Sequence, residues 1–462
     1  MSSVTITFLG ATDTVTGSRF LVSSGTSKVL VDCGLFQGLK AIRKKNWDPF
    51  PVDVETIDAV VLTHAHLDHC GYLPLLTRQG YRNNIFATHY TAELASVILH
   101  DSAHLQMEDA KFAAKKGYSK HEIPLPLYNV EDTEKALKLF KKVQFHSRVQ
   151  VAPDAWVTWY PSGHILGSSF IVLEIADKKL LFTGDMGRNN HPVLSNPDLP
   201  PRESFDAIVT ESTYGDRIHD AKPEDFAREL NAAIKRGGSI LIPAFAVDRT
   251  EVILMALREL MEKKQVPIVP IYVDSPMALA ALNFYREAIA QNTAEIREGV
   301  SDRWANQDPF DSGRLMQALT TEDSKKINDV SETSIIISAS GMATGGRVVH
   351  HLEHMLPDPK NTVILVGYQA AGSRGRLLEE GVKDLKMHGK YVPVRAHITK
   401  VESFSVHADG DELIAWLRNA SAPGKAFVVH GELGAQEKMA TRLSDQLGWK
   451  VVIPKSMQVI EI

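Results

Sequence analysis

At 462 residues, with 44% apolar and 23% charged residues, the chain is long enough for two or three domains and has the composition of an ordinary globular protein. A formal net charge of -5 excludes a global attraction to polyanions, so a nucleic acid has to be held in a locally basic groove. Two cysteines, Cys33 and Cys70, exclude a disulfide framework, and the chain enters a strand pattern at Met1 with no basic leader and no long apolar segment, so a cytoplasmic protein is expected.

In chain order, residues 4–9, 19–22 and 28–32 read as strands, the last ending in Asp32-Cys33-Gly34. Residues 57–62 form a further apolar strand, and directly behind it stands Thr63-His64-Ala65-His66-Leu67-Asp68-His69. Neutral imidazole and carboxylate are the donors that suit zinc and its neighbours, and no apolar core needs these ionisable groups side by side. If the chain stays extended, His64 and His66 share one side and one ion. Asp68 and His69 then need a change of direction, with a helix entered at residues 71–76, which would swing them toward a second ion. Asp32, leaving its strand nearby, is expected to orient a ligand rather than to ligate. Cys70 is read as a small buried thiol.

Residues 91–117 form a long helical pattern carrying His100-Asp101-Ser102-Ala103-His104, which resembles a helical zinc motif but has Asp for Glu and no third ligand nearby, so these histidines are read as solvated. Between strand-like runs at 155–160 and 170–174, the glycine-bounded turn Ser162 to Ser168 presents His164. The strand ending in Phe182 delivers Asp185 between Gly184 and Gly187, with room to bridge two cations, and the run ending in Thr210 delivers Glu211 in the same way.

From about Thr213 four units of strand, small-residue turn and helix follow, with strands at 239–244, 268–273, 334–338 and 362–366; such repetition implies a parallel sheet covered by helices on both faces. Three of the turns combine glycine or serine with arginine: Arg249, then Ser340, Gly345, Gly346 and Arg347, then Arg374 with Arg376. Backbone N–H groups at helix starts and guanidinium forks suit phosphate, so these residues, with Ser405, are the expected nucleic-acid contacts. His350-His351-Leu352-Glu353-His354 fits an inverted zinc-peptidase pattern but is read as helix surface or packing. The chain closes with His407 in Ser405-Val406-His407-Ala408-Asp409 and with His430, which ends an apolar run as His64 does; His397 has no such setting.

Taken together these motifs resemble the nucleases of the metallo-β-lactamase fold that carry an inserted β-CASP domain. The resemblance covers nearly the whole chain and is carried by His64-x-His66-x-Asp68-His69, His164, Asp185, Glu211, Ser340 to Arg347, His407 and His430. One departure is Val247-Asp248-Arg249, where many members have glycine before the arginine. The family implies an α/β protein: an αββα metallo-β-lactamase sandwich from residues 1–208 and 396–462, a doubly wound parallel-sheet β-CASP domain at 209–395, and an active site in the cleft between them. It implies two zinc ions, one held by His64, His66 and His164, the other by Asp68, His69 and His430, with Asp185 bridging. His430 stands where DNA-processing members tend to carry valine, which points to RNA. The expected partners are RNA, no membrane, and a second copy of the chain in a homodimer.

By the same resemblance Asp68 and Asp185 orient the attacking water, His407 protonates the leaving oxygen, Glu211 holds His407, and the product carries a 5′-phosphate and a free 3′-hydroxyl. Competing readings are a small-molecule hydrolase of the same fold, a catalytically inactive scaffold of an RNA-processing assembly, and a di-iron oxygen reductase. The arginine-bearing insert and the His407 motif oppose the first, the full ligand set opposes the second, and His66, where a glutamate usually stands, opposes the third.

Overall fold

A computed structural model describes residues 3–116, 124–219, 223–370 and 372–462. Gly117 at the end of the expected long helix, Ala371 of the last glycine-serine turn, and Met1 and Ser2 lie outside the described residues. The chain divides into two compact units, residues 1–218 with 407–462, and residues 219–406.

The first unit contains two seven-stranded sheets. One runs in the order Val459–Glu461, Thr5–Phe8, Phe20–Ser23, Lys28–Val31, Ala59–Val61, Ile85–Thr88, Phe140–Val143. The other runs Val451–Val452, Lys425–Val428, Ala207–Thr210, Lys178–Phe182, Ser169–Ile175, Ala155–Pro161, Val149–Ala152. Period-2 alternation explains how the second sheet serves two cores at once. Ile171, Leu173, Leu180, Phe182, Val209 and Phe427 meet Ile6, Phe8, Val22, Val31 and Val61 of the first sheet. Their neighbours Phe170, Val172, Leu181, Ile208, Ala426 and Val428 pack instead on helices Gly410–Leu417 and Leu433–Leu447, through Leu413, Leu417, Met439 and Leu443. A strand buried on both faces reads as a continuous apolar run, which is what Phe170 to Leu173 shows within Ser169–Ile175.

The sheet order carries the last residues back to the first. Val459–Glu461 pairs antiparallel with Thr5–Phe8, and Lys425–Val428 lies parallel to Ala207–Thr210 with Val428 opposite Thr210. Strands Lys28–Val31 and Ala59–Val61 are parallel in one sheet, as are Lys178–Phe182, Ala207–Thr210 and Lys425–Val428 in the other. Asp32, the His64 to His69 stretch, Asp185, Glu211 and His430 all follow the carboxyl ends of these strands.

In the second unit the sheet is parallel throughout and has six strands, in the order Leu315–Gln317, Ile271–Val273, Ile335–Ser338, Ile240–Pro243, Thr362–Val366, His397–Val401. Four of these were expected; Leu315–Gln317 and His397–Val401 are edge strands whose short or polar sequences carry little apolar signal. The expected strand at 268–273 begins only at Ile271, because Pro267 and Pro270 flank an exposed Ile268 and proline cannot donate to a ladder. Helix Arg347–Met355 covers one face with Val348, Val349, Leu352 and Met355 against Leu241, Ile336, Val363 and Leu365. No helix among the described residues is long and apolar enough to cross a membrane.

Candidate metal centre

Strand Ala59–Val61 ends two residues before the ligand stretch, and the chain runs irregularly to His66, whose backbone is extended (φ -60, ψ 148). His64 Nε2 and His66 Nδ1 lie 3.2 Å apart. The change of direction comes at Leu67, earlier than expected, where the short helix Leu67–Cys70 turns Asp68 and His69 away from the first pair. Neighbouring loops clamp this turn through its backbone: Ser18 N donates to Asp68 O at 2.9 Å, Cys33 N to His69 O at 2.7 Å and Leu35 N to Leu67 O at 3.0 Å. Gly34 is obligatory in that clamp, since a Cβ there would stand 1.5 Å from Asp68 O.

Asp32 holds His69. Its carboxylate lies 2.7 Å from His69 Nδ1 and also accepts from the Thr63 N–H and hydroxyl at 2.8 Å each. A carboxylate on Nδ1 leaves Nε2 directed into the centre, the arrangement by which outer partners orient metal-binding histidines. On the opposite sheet His164 sits in a tight turn whose His164 and Ile165 N–H groups donate to Ser168 Oγ at 3.0 and 3.1 Å. His164 Nε2 lies 3.2 Å from His66 Nδ1.

Asp185 lies between two groups of histidines. Its Oδ2 is 3.6 Å from His64 Nε2 and 3.8 Å from His164 Nε2, while Oδ1 is 3.4 Å from His69 Nε2 and 3.6 Å from His430 Nε2. Gly184 permits this placement, with φ +53 and no room for a Cβ beside Thr63. His430, at φ +49 beyond strand Lys425–Val428, is fastened by its N–H to Ala11 O at 2.7 Å and by Ser18 Oγ, 2.8 Å from His430 Nδ1. Asp68 Oδ2 completes the second group, 3.7 Å from His430 Nε2 and 3.9 Å from His69 Nε2.

These donors fit divalent ions. Asp185 Oδ1 is buried and makes no hydrogen bond among the described residues, an expensive state for a carboxylate oxygen without a cation. An ion held tetrahedrally by bonds of about 2.0–2.1 Å needs donor atoms roughly 3.3 Å apart, close to the separations above. Protonation agrees. Burial, reinforced by neighbouring imidazoles, holds His64 and His164 well below the ordinary imidazole value, and burial also lowers His66. Burial alone would raise Asp185, but His430, His69 and His64 outweigh it and hold the carboxyl well below its usual range. Burial would likewise lower His69, yet Asp185 and Asp32 raise it well above the ordinary value. A cation competes with that proton, so binding weakens as pH falls.

Glu211 leaves strand Ala207–Thr210 buried, its Oε1 accepting from Met186 N at 2.6 Å. Its Oε2 is 3.5 Å from His407 Nδ1, which is also 3.8 Å from Asp185 Oδ2. A lone bridge between Gly187 and His407, with Ala408 N on Met186 O at 2.8 Å, brings this distant residue to the centre. The His407 ring lies 4.4 Å from that of His164.

The arginine-bearing turns lie together in the second unit, because strands Ile335–Ser338, Ile240–Pro243 and Thr362–Val366 are adjacent and parallel. Gln369 Nε2 donates to Gly341 O at 3.1 Å, and Arg374 Nη1 to Thr344 O at 2.8 Å. Arg249 is buried against Gly367, where a Cβ would stand 2.9 Å from its Nη1. The Arg347 guanidinium is held by Asp274 at 2.7 Å and by Ala318 O and Leu319 O, and Arg376 Nε by Glu380 at 2.8 Å. Ser340 Oγ lies 2.9 Å from Thr344 Oγ1; Gly346 has φ +76 and precedes helix Arg347–Met355, and a Cβ at Gly345 would meet nothing within 4 Å. Ser405 is buried. His100 pairs with Glu134 at 2.7 Å, away from any such cluster.

Ser18, Thr63 and Ser168 were missed by sequence reasoning. Each acts through a hydroxyl on a residue remote in sequence or on a turn, and a serine or threonine in a loop carries no periodic signal; the glycine-bounded, threonine-rich loop before Ser18 was its only mark.

Three domain descriptions match the chain: a metallo-beta-lactamase superfamily domain over residues 21–204, a Beta-Casp domain over 250–378, and a Zn-dependent metallo-hydrolase RNA specificity domain over 391–454. Ribonuclease TTHA0252 of Thermus thermophilus is 35% identical, with 92% of each chain covered. An RNase J-like protein of Methanocaldococcus jannaschii is 32% identical, with 93% of each covered. Transcription termination factor FttA of the same organism is 29% identical over 99% of this chain and 72% of its own. A crystal structure of a protein of unknown function from Enterococcus faecalis V583 shares the fold, with a TM-score of 0.53, 13% identity and full coverage of both chains. The clustered histidines and carboxylates, the parallel-sheet insert and these relatives together place the chain in the β-CASP ribonucleases of the metallo-β-lactamase superfamily.

Proposed function

We propose that this protein is a two-zinc ribonuclease that hydrolyses RNA phosphodiester bonds, leaving a 5′-phosphate and a 3′-hydroxyl. The observation that carries the reading is Asp185, whose two oxygens face different histidine groups, as a carboxylate shared by two ions does. His64, His66 and His164 would hold one ion, and Asp68, His69 and His430 the other. When bound, such a pair supplies an acidified water and charge stabilisation at the phosphoryl oxygens. Ribonuclease relatives and the RNA specificity domain, whose span includes His407 and His430, support RNA as the substrate.

The remaining chemistry belongs to the chain's own side chains. Asp68 and Asp185 accept hydrogen bonds and orient the attacking water. His407 turns Nδ1 toward Glu211 and Asp185, so Nε2, on the opposite edge of the ring, carries the proton for the leaving oxygen. Glu211, itself fixed by Met186 N, holds the ring of His407 in position. Backbone N–H groups around Gly345 and Gly346, with Arg249, Arg347, Arg374, Ser340 and Ser405, are the proposed phosphate contacts.

End-labelled RNA with a 5′-triphosphate, monophosphate or hydroxyl, incubated with the zinc-loaded protein and with Asp185→Ala, tests this. Cleavage to 5′-phosphate ends by the first, and loss of both cleavage and at least one ion in the second, are expected. An ion content in Asp185→Ala equal to that of the wild type would refute the bridging role, and 5′-hydroxyl products would refute the reaction.

A further inference from the structure

Helix Arg347–Met355 carries His350 and Glu353 three residues apart, a spacing that places side chains on one face. The hairpin formed by Asp384–Met387 and Lys390–Pro393 brings His388 to that face. His388 Nδ1 lies 2.7 Å from Glu353 Oε2, and the His350 ring stacks on that of His388 with centroids 4.6 Å apart and planes at 27°. Atoms able to ligate a metal on these three residues all lie within 4.8 Å of one another. Glu353 and His388 are each 30% exposed and His350 is exposed, so an ion can reach them from solvent. His351, next to His350, points elsewhere and is buried on Asp274 at 2.6 Å.

The turn fixes where His388 stands. His388 and Gly389 have φ +46 and +82, the pattern of a two-residue type I′ hairpin turn, whose first position favours asparagine, aspartate or glycine. Histidine is among the residues with a Cβ that adopt this left-handed backbone most readily, so the turn can present an imidazole toward the helix.

We propose that His350, Glu353 and His388 form a separate site for zinc or a neighbouring first-row divalent ion, with solvent completing its coordination. Two imidazoles and one carboxylate are a sufficient protein donor set for such an ion. The Glu353–His388 contact of 2.7 Å is shorter than the roughly 3.3 Å between donors around a tetrahedral ion, so the ion replaces that hydrogen bond and draws the stacked rings apart. It would clamp the hairpin to the helix that follows the Gly345-Gly346 turn. All three donors belong to residues 219–406, so this site does not depend on the ligand assignment at Asp185.

Full-length wild type, His388→Asn and Glu353→Gln, dialysed against buffered zinc and analysed for zinc per chain, test the proposal. His388→Asn installs a residue the turn prefers, and Glu353→Gln keeps the shape of the side chain, so both fold and both cleave RNA as wild type does. Wild type should hold one zinc per chain more than either variant, and zinc should raise its thermal midpoint further than theirs. Equal zinc content in all three proteins at every zinc concentration would overturn the proposal, as would full retention of the extra zinc by His388→Asn.

Discussion

Among the side chains of the centre, Asp32 and His407 separate positioning from chemistry. Asp32 touches no proposed ion yet holds His69 through a 2.7 Å contact and is itself held by Thr63. Asp32→Asn keeps the volume and removes the charge, and metal binding should weaken about 10- to 100-fold, the usual effect of losing such an outer partner; a metal titration with unchanged affinity would refute that role. For His407→Ala the expectation is reversed: RNA cleavage falls about 10²- to 10⁴-fold, the typical worth of a general acid, while metal content is preserved. If metal is lost along with activity, His407 is a ligand instead. His64, His66, Asp68 and His69 were legible in the sequence because they are nearly consecutive, and His164 and Asp185 because glycines frame them. Ser18 was not, since its bond to His430 Nδ1 spans 412 positions and exists only once strands far apart in sequence become neighbours.

At the level of elements, the ligand turn Leu67–Cys70 is too short to hold its own shape and borrows it from the loops at Ser18 and at 33–35. Gly34→Ala probes that dependence. Its new Cβ would meet backbone, which cannot rotate aside, so the turn must move; a stability loss on the order of 3 kcal/mol in urea unfolding is expected, together with reduced metal content. Wild-type metal content in a folded Gly34→Ala would mean that the clamp is not what sets the ligands. The helix behind His407 is secured differently, by a capping box in which Asp409 accepts from the Asp411 and Glu412 N–H groups and Glu412 reaches back to Asp409 N. That box closes within four consecutive residues, whereas the bridge between Gly187 and His407 joins distant segments, and isolated pairings leave no pattern in the sequence. Edge strands Leu315–Gln317 and His397–Val401 escaped for a related reason: only a strand with apolar faces announces itself.

For the molecule as a whole, the protonation states set a pH dependence whose sign can be worked out. Folded His64, His66 and His164 have lowered values, so below about pH 6.5 the unfolded chain binds more protons and stability is lost as pH falls. His69, with a raised value, contributes in the opposite direction, its stabilisation being full below about pH 6.5 and lost as pH rises through its folded value. With His350, which burial also lowers, four groups oppose one, so the thermal midpoint of the chelator-treated protein should fall on acidification from about pH 7 to about pH 5.5. A midpoint that rises over that interval would mean that His69 dominates. What the sequence determined by itself is the donor inventory, the parallel-sheet insert and the family, because each is written in local spacing or in period-2 and strand-turn-helix repetition. What only tertiary structure decided is which oxygen of Asp185 faces which histidines, that Asp32 and Ser18 orient them, that Arg347 is gripped by Asp274, and that His388 joins His350 and Glu353. Those are contacts between elements, set by sheet order and by packing across the core, and no stretch of chain contains both partners.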